Sequence, residues 1–389
     1  MERLEPIVFN AAWGSRVSIA SLRGLPIPSP EPESEFWMGA HEAGPSLLKD
    51  RDHLDLATWL DRDPEALLGA DTVARFGPRL PFLLKVLAPG KAISIQVHPT
   101  AEQAQHVRRT RGPGTYVDDC AKPELLLAIA PFEVFIGVRD AAQAAAFVGR
   151  LDVPELTAAL TASAEASDPM HAFLDHVLAT PSRDALALTR EIVAACVRVE
   201  ATDDEFGDAA AAIVRVAEEH PDDIGLAVLV AMSHRVLQPG EFVDVAAGVL
   251  HSYVRGLGIE ILANSDNVVR AGLTAKEVNT AELLRIVDTA ATGVAGRARE
   301  VSPGVQVFDS ASEQFTLHRV DPAHADGLPG AGSPRIVFVL RGNVQLSTAE
   351  SECVLRDMES VFVPFGESDV RVRGRGEVYV ASVPGPHAT

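Results

Sequence analysis

The chain has 389 residues, 47% of them apolar, and carries 54 acidic against 34 basic side chains for a formal charge of −20. That length exceeds the roughly 250 to 300 residues at which a single core stops growing, so two or three packed units are expected. The charge argues against nucleic acid and anionic membrane surfaces as partners, because both are bound through clustered Lys and Arg, but a small anion can still bind where a few cations converge.

In chain order, residues 1–139 read as short strands broken by Pro and Gly, for example 81–86, 92–97 and 124–138 around Pro131. From Asp140 to about His220 the texture turns Ala-rich with helical periodicity, at 141–148, 153–160, 171–178 and 182–199, with Asp168 and Ser182 as expected N-caps. Residues 224–236 still read as helix, and β texture resumes at 239–243 and runs through 259–262. A further series of strands follows, at 315–320, 335–340, 344–347, 360–363 and 378–383. The expected fold is mainly β with an α-helical insertion. A discontinuous unit covers 1–139 and 224–300, the helical insertion 140–223, and a C-terminal β unit 301–389.

A weak internal repeat aligns residues 240–251 with 358–369 without gaps, sharing a turn, a strand and a Gly-containing turn. That pattern suits two jelly-roll barrels, the architecture that includes cupins. Asp369 falls where His251 stands, so the second barrel is expected to hold no metal.

Residues 91–98 alternate with period two: Ile93, Ile95 and Val97 share one face, while Ser94, Gln96 and His98 share the other. Lys122-Pro123-Glu124 leads into the apolar run 125–130, placing an ammonium and a carboxylate at the mouth of a core strand, where a buried charge needs a partner or a metal. His251 ends a Gly248-Val249-Leu250 turn. The three cysteines, Cys120, Cys196 and Cys353, are too scattered for a disulfide framework or a thiolate zinc cluster, so any metal takes nitrogen and oxygen ligands.

Several segments together resemble the type I mannose-6-phosphate isomerases of the cupin superfamily. They are Ala12-Trp13-Gly14-Ser15, Glu35-Phe36-Trp37-Met38-Gly39-Ala40-His41, Pro81-Phe82-Leu83-Leu84-Lys85-Val86-Leu87, Ser94-Ile95-Gln96-Val97-His98-Pro99, Lys122-Pro123-Glu124 and Gly248-Val249-Leu250-His251-Ser252-Tyr253. The strongest is Ala263-Asn264-Ser265-Asp266-Asn267-Val268-Val269-Arg270-Ala271-Gly272-Leu273-Thr274. The resemblance spans nearly the whole chain. It implies that Gln96, His98, Glu124 and His251 bind one zinc ion per chain, and that the substrate is a sugar phosphate, mannose 6-phosphate interconverting with fructose 6-phosphate. Two departures, Ala246 where a Pro is common and Val97 where a smaller residue is common, bear on pocket shape alone.

Moving a proton between C1 and C2 of such a substrate needs a base and a stabiliser of negative oxygen. Glu260, in the apolar run Gly258-Ile259-Glu260-Ile261-Leu262, is the expected proton carrier, with Lys122 assisting. Arg270 and Lys276 are the expected phosphate cations, around a Thr274-Ala275-Lys276-Glu277 capping box that is expected to start a helix and to offer its N–H groups. Ser94 adds a hydroxyl and Trp13 walls the pocket. Competing readings are a cupin iron-dependent oxygenase and a non-catalytic sugar-binding cupin. No run approaches the roughly 20 apolar residues of a membrane helix and no signal-peptide layout opens the chain, so a cytoplasmic, monomeric protein is expected.

Overall fold

The computed structural model describes residues 1–52, 54–112, 114–202 and 204–385. Its architecture is mainly β in several sheets, with helices packed on one side.

Period-two alternation builds the layers. In the seven-stranded sheet, Phe36, Met38, Leu84, Val86, Leu125, Leu127, Ile259 and Ile261 point one way, into a core shared with Leu317, Ile336, Phe338 and Phe362 of the C-terminal nine-stranded sheet. Their sequence neighbours Leu87, Leu126 and Ala128 point the other way and meet Phe132, Val134, Ile136 and Tyr253 of a five-stranded sheet. The far face of that sheet, with Ile95, Val97, Phe135, Val254 and Val269, is covered by the helical insertion through Phe147, Phe173, Ile192 and Ile213. The order of layers is therefore helices, five strands, seven strands, nine strands, and every layer boundary is an apolar face.

The strands Phe82–Leu87, Glu124–Ala128, Phe132–Val138, Glu241–Val245 and Gly258–Ala263 lie where the sequence pattern puts them. So do the helices Ala141–Leu151, Pro154–Ser163, Pro169–Leu178 and Ser182–Val199. In the repeat, Gly240 and Met358 both adopt the left-handed region, at φ +86° and +61°, and each precedes a strand, Glu241–Val245 or Glu359–Val363.

Four expectations need correction. The first 139 residues are not all β: Leu56–Leu60, Pro64–Leu68 and Ala101–Arg111 are helices because Asp55, Asp63 and Thr100 accept N–H groups of their first turns. Residues 224–236 are helical only through Gly225–Ala231; Met232–Leu237 is a strand, since its backbone pairs with Phe132–Val138. Asp168 caps its helix by accepting from the His171 N–H at 2.9 Å, whereas Ser182 is the first helical residue and follows Pro181, which has no side chain to cap with. The N-terminal strand Glu2–Glu5 joins the C-terminal sheet, pairing with Glu359–Val363, a non-local contact that no local pattern reports.

Candidate functional site

Gln96 is the hub of one cross-strand row. It lies opposite His251 on one side and opposite Arg270 on the other, and directly opposed residues share a face. The neighbours Ile95 and Val97 are buried against the helical insertion, which turns Gln96 toward the space between the sheets. His98 follows at the strand end, fully buried. Glu124 enters from the facing sheet, 2% exposed, between Val245 and Leu262.

These elements bring three side chains together. Ligand-capable atoms of His98, Glu124 and His251 all lie within 4.8 Å of one another. His98 Nε2 is 3.3 Å from Glu124 Oε1, and His251 Nε2 is 3.4 Å from Glu124 Oε2. Two atoms each about 2.0 to 2.1 Å from a tetrahedral ion lie about 3.4 Å apart, so the cluster has the spacing of a metal's ligand shell. Both imidazole Nε2 atoms and Glu124 Oε2 are buried without a hydrogen-bond partner. The opposite ring nitrogens are engaged: Nδ1 of His98 donates to the Asn267 carbonyl at 2.7 Å and Nδ1 of His251 to the Val249 carbonyl at 3.0 Å. Each ring thus carries its proton on Nδ1 and aims a lone pair at the cluster, the tautomer a metal ligand needs. Burial pushes the His98 imidazole down to about 4, which keeps it neutral. Burial works against ionising Glu124, but the Lys122 ammonium, 3.0 Å away, holds its carboxyl well below the ordinary range. Orphaned buried acceptors converging on one point are costly unless something positive joins them, and a divalent ion fits that donor set.

The cluster borders a cavity of about 600 Å³. The predicted residues Trp13, Ser94, Gln96, Lys122, Glu124, Glu260, Arg270 and Lys276 all line it. His98 and His251 lie behind the lining at 0% exposure. Glu260, 2% exposed, is ion-paired to Lys85 at 2.7 Å, and Lys85 also reaches Glu35 at 2.8 Å. Burial, with the Glu124 charge nearby, pushes the Glu260 carboxyl up against the pull of Lys85. Burial would lower the Lys85 ammonium, yet Glu260, Glu35 and Glu124 together raise it. Arg270 is partly buried, and among the described residues its guanidinium has no acidic partner; burial alone lowers its pKa.

The expected capping box does not form. Residues 274–277 are not helical, the next helix is Thr280–Ile286 capped by Asn279, and Thr274 Oγ1 instead accepts from the Lys276 N–H at 3.0 Å. Lys276 keeps its place in the cavity wall, but no helix N-terminus stands there. Sequence reasoning also gave no role to Lys85, Glu35 and Tyr253, which line the cavity. Lys85 carried a usable signal: a lone cation inside the apolar run Leu83-Leu84-Lys85-Val86-Leu87, which sits in register with Glu260.

A family model described as phosphomannose isomerase type I, catalytic domain, matches residues 1–141. Mannose-6-phosphate isomerase of Escherichia coli strain K12 is 30% identical, with 97% of this chain and 98% of that protein covered. Mannose-6-phosphate isomerase 1 of Arabidopsis thaliana is 27% identical over 89% of this chain and 83% of its own length. The crystal structure of the Salmonella typhimurium enzyme bound to fructose 6-phosphate and zinc superposes with a TM-score of 0.88 at 27% identity, covering 99% of this chain and 100% of that one.

Proposed function

The chain belongs to the mannose-6-phosphate isomerase family, and we propose that His98, Glu124, His251 and Gln96 hold its zinc ion beside a cavity that takes the sugar phosphate. The protein is an aldose–ketose isomerase that interconverts mannose 6-phosphate and fructose 6-phosphate. The observation that carries the site assignment is the set of three unpartnered, buried ligand atoms converging at the cavity wall. Two packed sheets around that wall, and the repeat with its paired left-handed turns, support reading both β units as cupin-like jelly rolls.

Zinc supplies a Lewis acid's positive charge to the oxygen-bearing end of the substrate. The chain's own residues do the rest. Arg270, with Lys276 and the Ser94 hydroxyl, receives the phosphate, since an unpaired guanidinium offers a fork of donors matched to phosphate oxygens. Substrate so held presents C1 and C2 toward Glu260, whose raised pKa suits it to take a proton from one carbon and return it to the other through an enediolate. Lys85 orients that carboxylate, and Lys122 sets its ammonium beside the reacting oxygens. Trp13 closes the wall. The free cations favour a phosphorylated substrate over dioxygen chemistry, which needs no phosphate clamp.

The test is a coupled assay of mannose 6-phosphate conversion to fructose 6-phosphate. Activity is expected in zinc-loaded protein, loss after chelation, and recovery on adding zinc. Zinc-loaded protein without activity would refute the reading.

A further inference from the structure

Asn267 lies in the segment that marks the family most strongly, yet no step above uses it. It is 1% exposed, and its side-chain amide is saturated. Oδ1 accepts from the N–H groups of Val117 at 2.9 Å and Asp118 at 3.2 Å. Nδ2 donates to the carbonyls of Asp118 at 3.0 Å and Cys120 at 2.9 Å, and to Asp118 Oδ1 at 2.9 Å. An amide has two donor hydrogens and two acceptor lone pairs, so this contact set uses its whole capacity. All of it is spent on one loop, the one that leads into Lys122-Pro123-Glu124. The Ser265 hydroxyl braces the arrangement, donating to Asp118 Oδ1 at 3.0 Å and accepting from the Asn267 N–H at 3.3 Å.

The same residue faces the cluster through its main chain, where its carbonyl accepts from His98 Nδ1 at 2.7 Å. A carbonyl can fix a ring only if its own backbone is fixed. Residues 264–268 lie between the strands Gly258–Ala263 and Val269–Gly272 with no ladder of their own, and the loop at 117–122 has none either. The two irregular segments hold each other through the Asn267 amide.

We propose that Asn267 is a positioning residue that couples the loop carrying Lys122, the ion-pair partner of Glu124, to the orientation of His98, so that one side chain steadies two sides of the zinc site. The inference rests on the zinc reading above. Partners of this kind, one shell out from a ligand, fix ring angle and tautomer and tune how tightly the metal is held.

The experiment measures the zinc affinity of metal-free protein by competition with a chromophoric chelator, alongside kinetics of the zinc-saturated enzyme. Asn267→Ala keeps the carbonyl that accepts from His98 and removes only its anchor, so it is expected to weaken zinc binding by about 10-fold, the low end of the effect of losing an outer-shell partner. In the saturated variant kcat is expected to fall while KM, governed by Arg270 on a strand with its own ladder, holds nearly constant. Asp118→Ala, which removes the far end of the same clamp and touches no proposed ligand, is expected to weaken zinc binding in the same direction by less; it carries the test if Asn267→Ala does not fold. Folded variants with lowered thermal stability but wild-type zinc affinity would overturn the proposal and leave Asn267 a loop anchor. Wild-type protein that fails to bind zinc would instead overturn the zinc reading, and this inference with it.

Discussion

In the proposed site, Glu260 and Arg270 divide the chemistry of the cavity between a buried, ion-paired carboxylate and a partly buried, unpaired cation. Glu260 is held by the Lys85 ammonium at 2.7 Å, and burial moves its carboxyl upward. Glu260→Gln keeps the shape and removes the base, so kcat should drop by at least about 100-fold, while elemental analysis finds zinc content unchanged; near-normal kcat would reject the assignment. A base acts only when ionised. Wild-type activity should therefore be present above the raised pKa and be lost as pH falls through it, at a midpoint above the ordinary glutamate value of about 4.3. Arg270 has no acid to neutralise it among the described residues, so its charge is free for a ligand. Arg270→Ala should raise KM for mannose 6-phosphate by about 30-fold, equivalent to about 2 kcal/mol for a lost charge-assisted contact, with zinc binding intact. An unchanged KM would remove Arg270 from the phosphate site.

Glu133 shows how a residue outside the cavity lining keeps the five-stranded sheet in place. It is 4% exposed on the strand Phe132–Val138, and it accepts from His234 at 2.9 Å and Arg255 at 2.9 Å on the two flanking strands and from Arg215 on the helix Glu205–Glu219. Burial alone would raise its carboxyl, but His234, Arg215 and Arg255 hold it below the ordinary range. A depressed folded pKa contributes stability above the unfolded value, and that contribution is lost as pH falls through the folded one. Glu133→Gln should cost about 2 kcal/mol at neutral pH, and urea denaturation should show the gap to wild type closing below the ordinary carboxylate range. A gap that does not depend on pH would mean that packing, not charge, is lost. At this scale the sequence was readable wherever the apolar pattern was clear: the insertion helices and four strands of the seven-stranded sheet, Phe82–Leu87, Glu124–Ala128, Glu241–Val245 and Gly258–Ala263, follow directly from it. Short helices such as Leu56–Leu60 were hidden because five residues hold too little period to separate from strand texture. The box at Thr274 failed because a capping pattern states what a helix start can use, not that the following residues will pack as one. His98, Glu124 and His251 converge as their family motifs imply, whereas Lys85 was passed over because its partner Glu260 lies on another strand, and cross-strand register is not written locally.

Across the whole molecule, the proposed ligands come from two different layers. Glu124 belongs to the seven-stranded sheet, while Gln96 and His251 belong to the five-stranded sheet and His98 follows directly on from it. An ion held there ties together sheets that otherwise meet through apolar contacts such as those of Leu87 and Leu126 with Phe132 and Tyr253. The seven-stranded sheet in turn shares its other face with the C-terminal unit, and Glu2–Glu5 stitches the first residues into that unit's sheet. Layers joined on every side should unfold together, so stabilising one boundary raises the melting temperature of all of them. Removing the ion does not undo the layers, because Glu124 keeps Lys122 at 3.0 Å and the apolar boundaries remain. Chelated protein should therefore retain its far-ultraviolet circular dichroism yet melt in a single transition a few degrees lower. With free zinc at about 100 times Kd the difference corresponds to about 2.7 kcal/mol. His251→Ala supplies the control: with one proposed ligand gone, zinc and chelator should shift its melting temperature far less than they shift the wild type's. If the wild-type melting temperature ignores zinc altogether, the ion does not bridge the sheets.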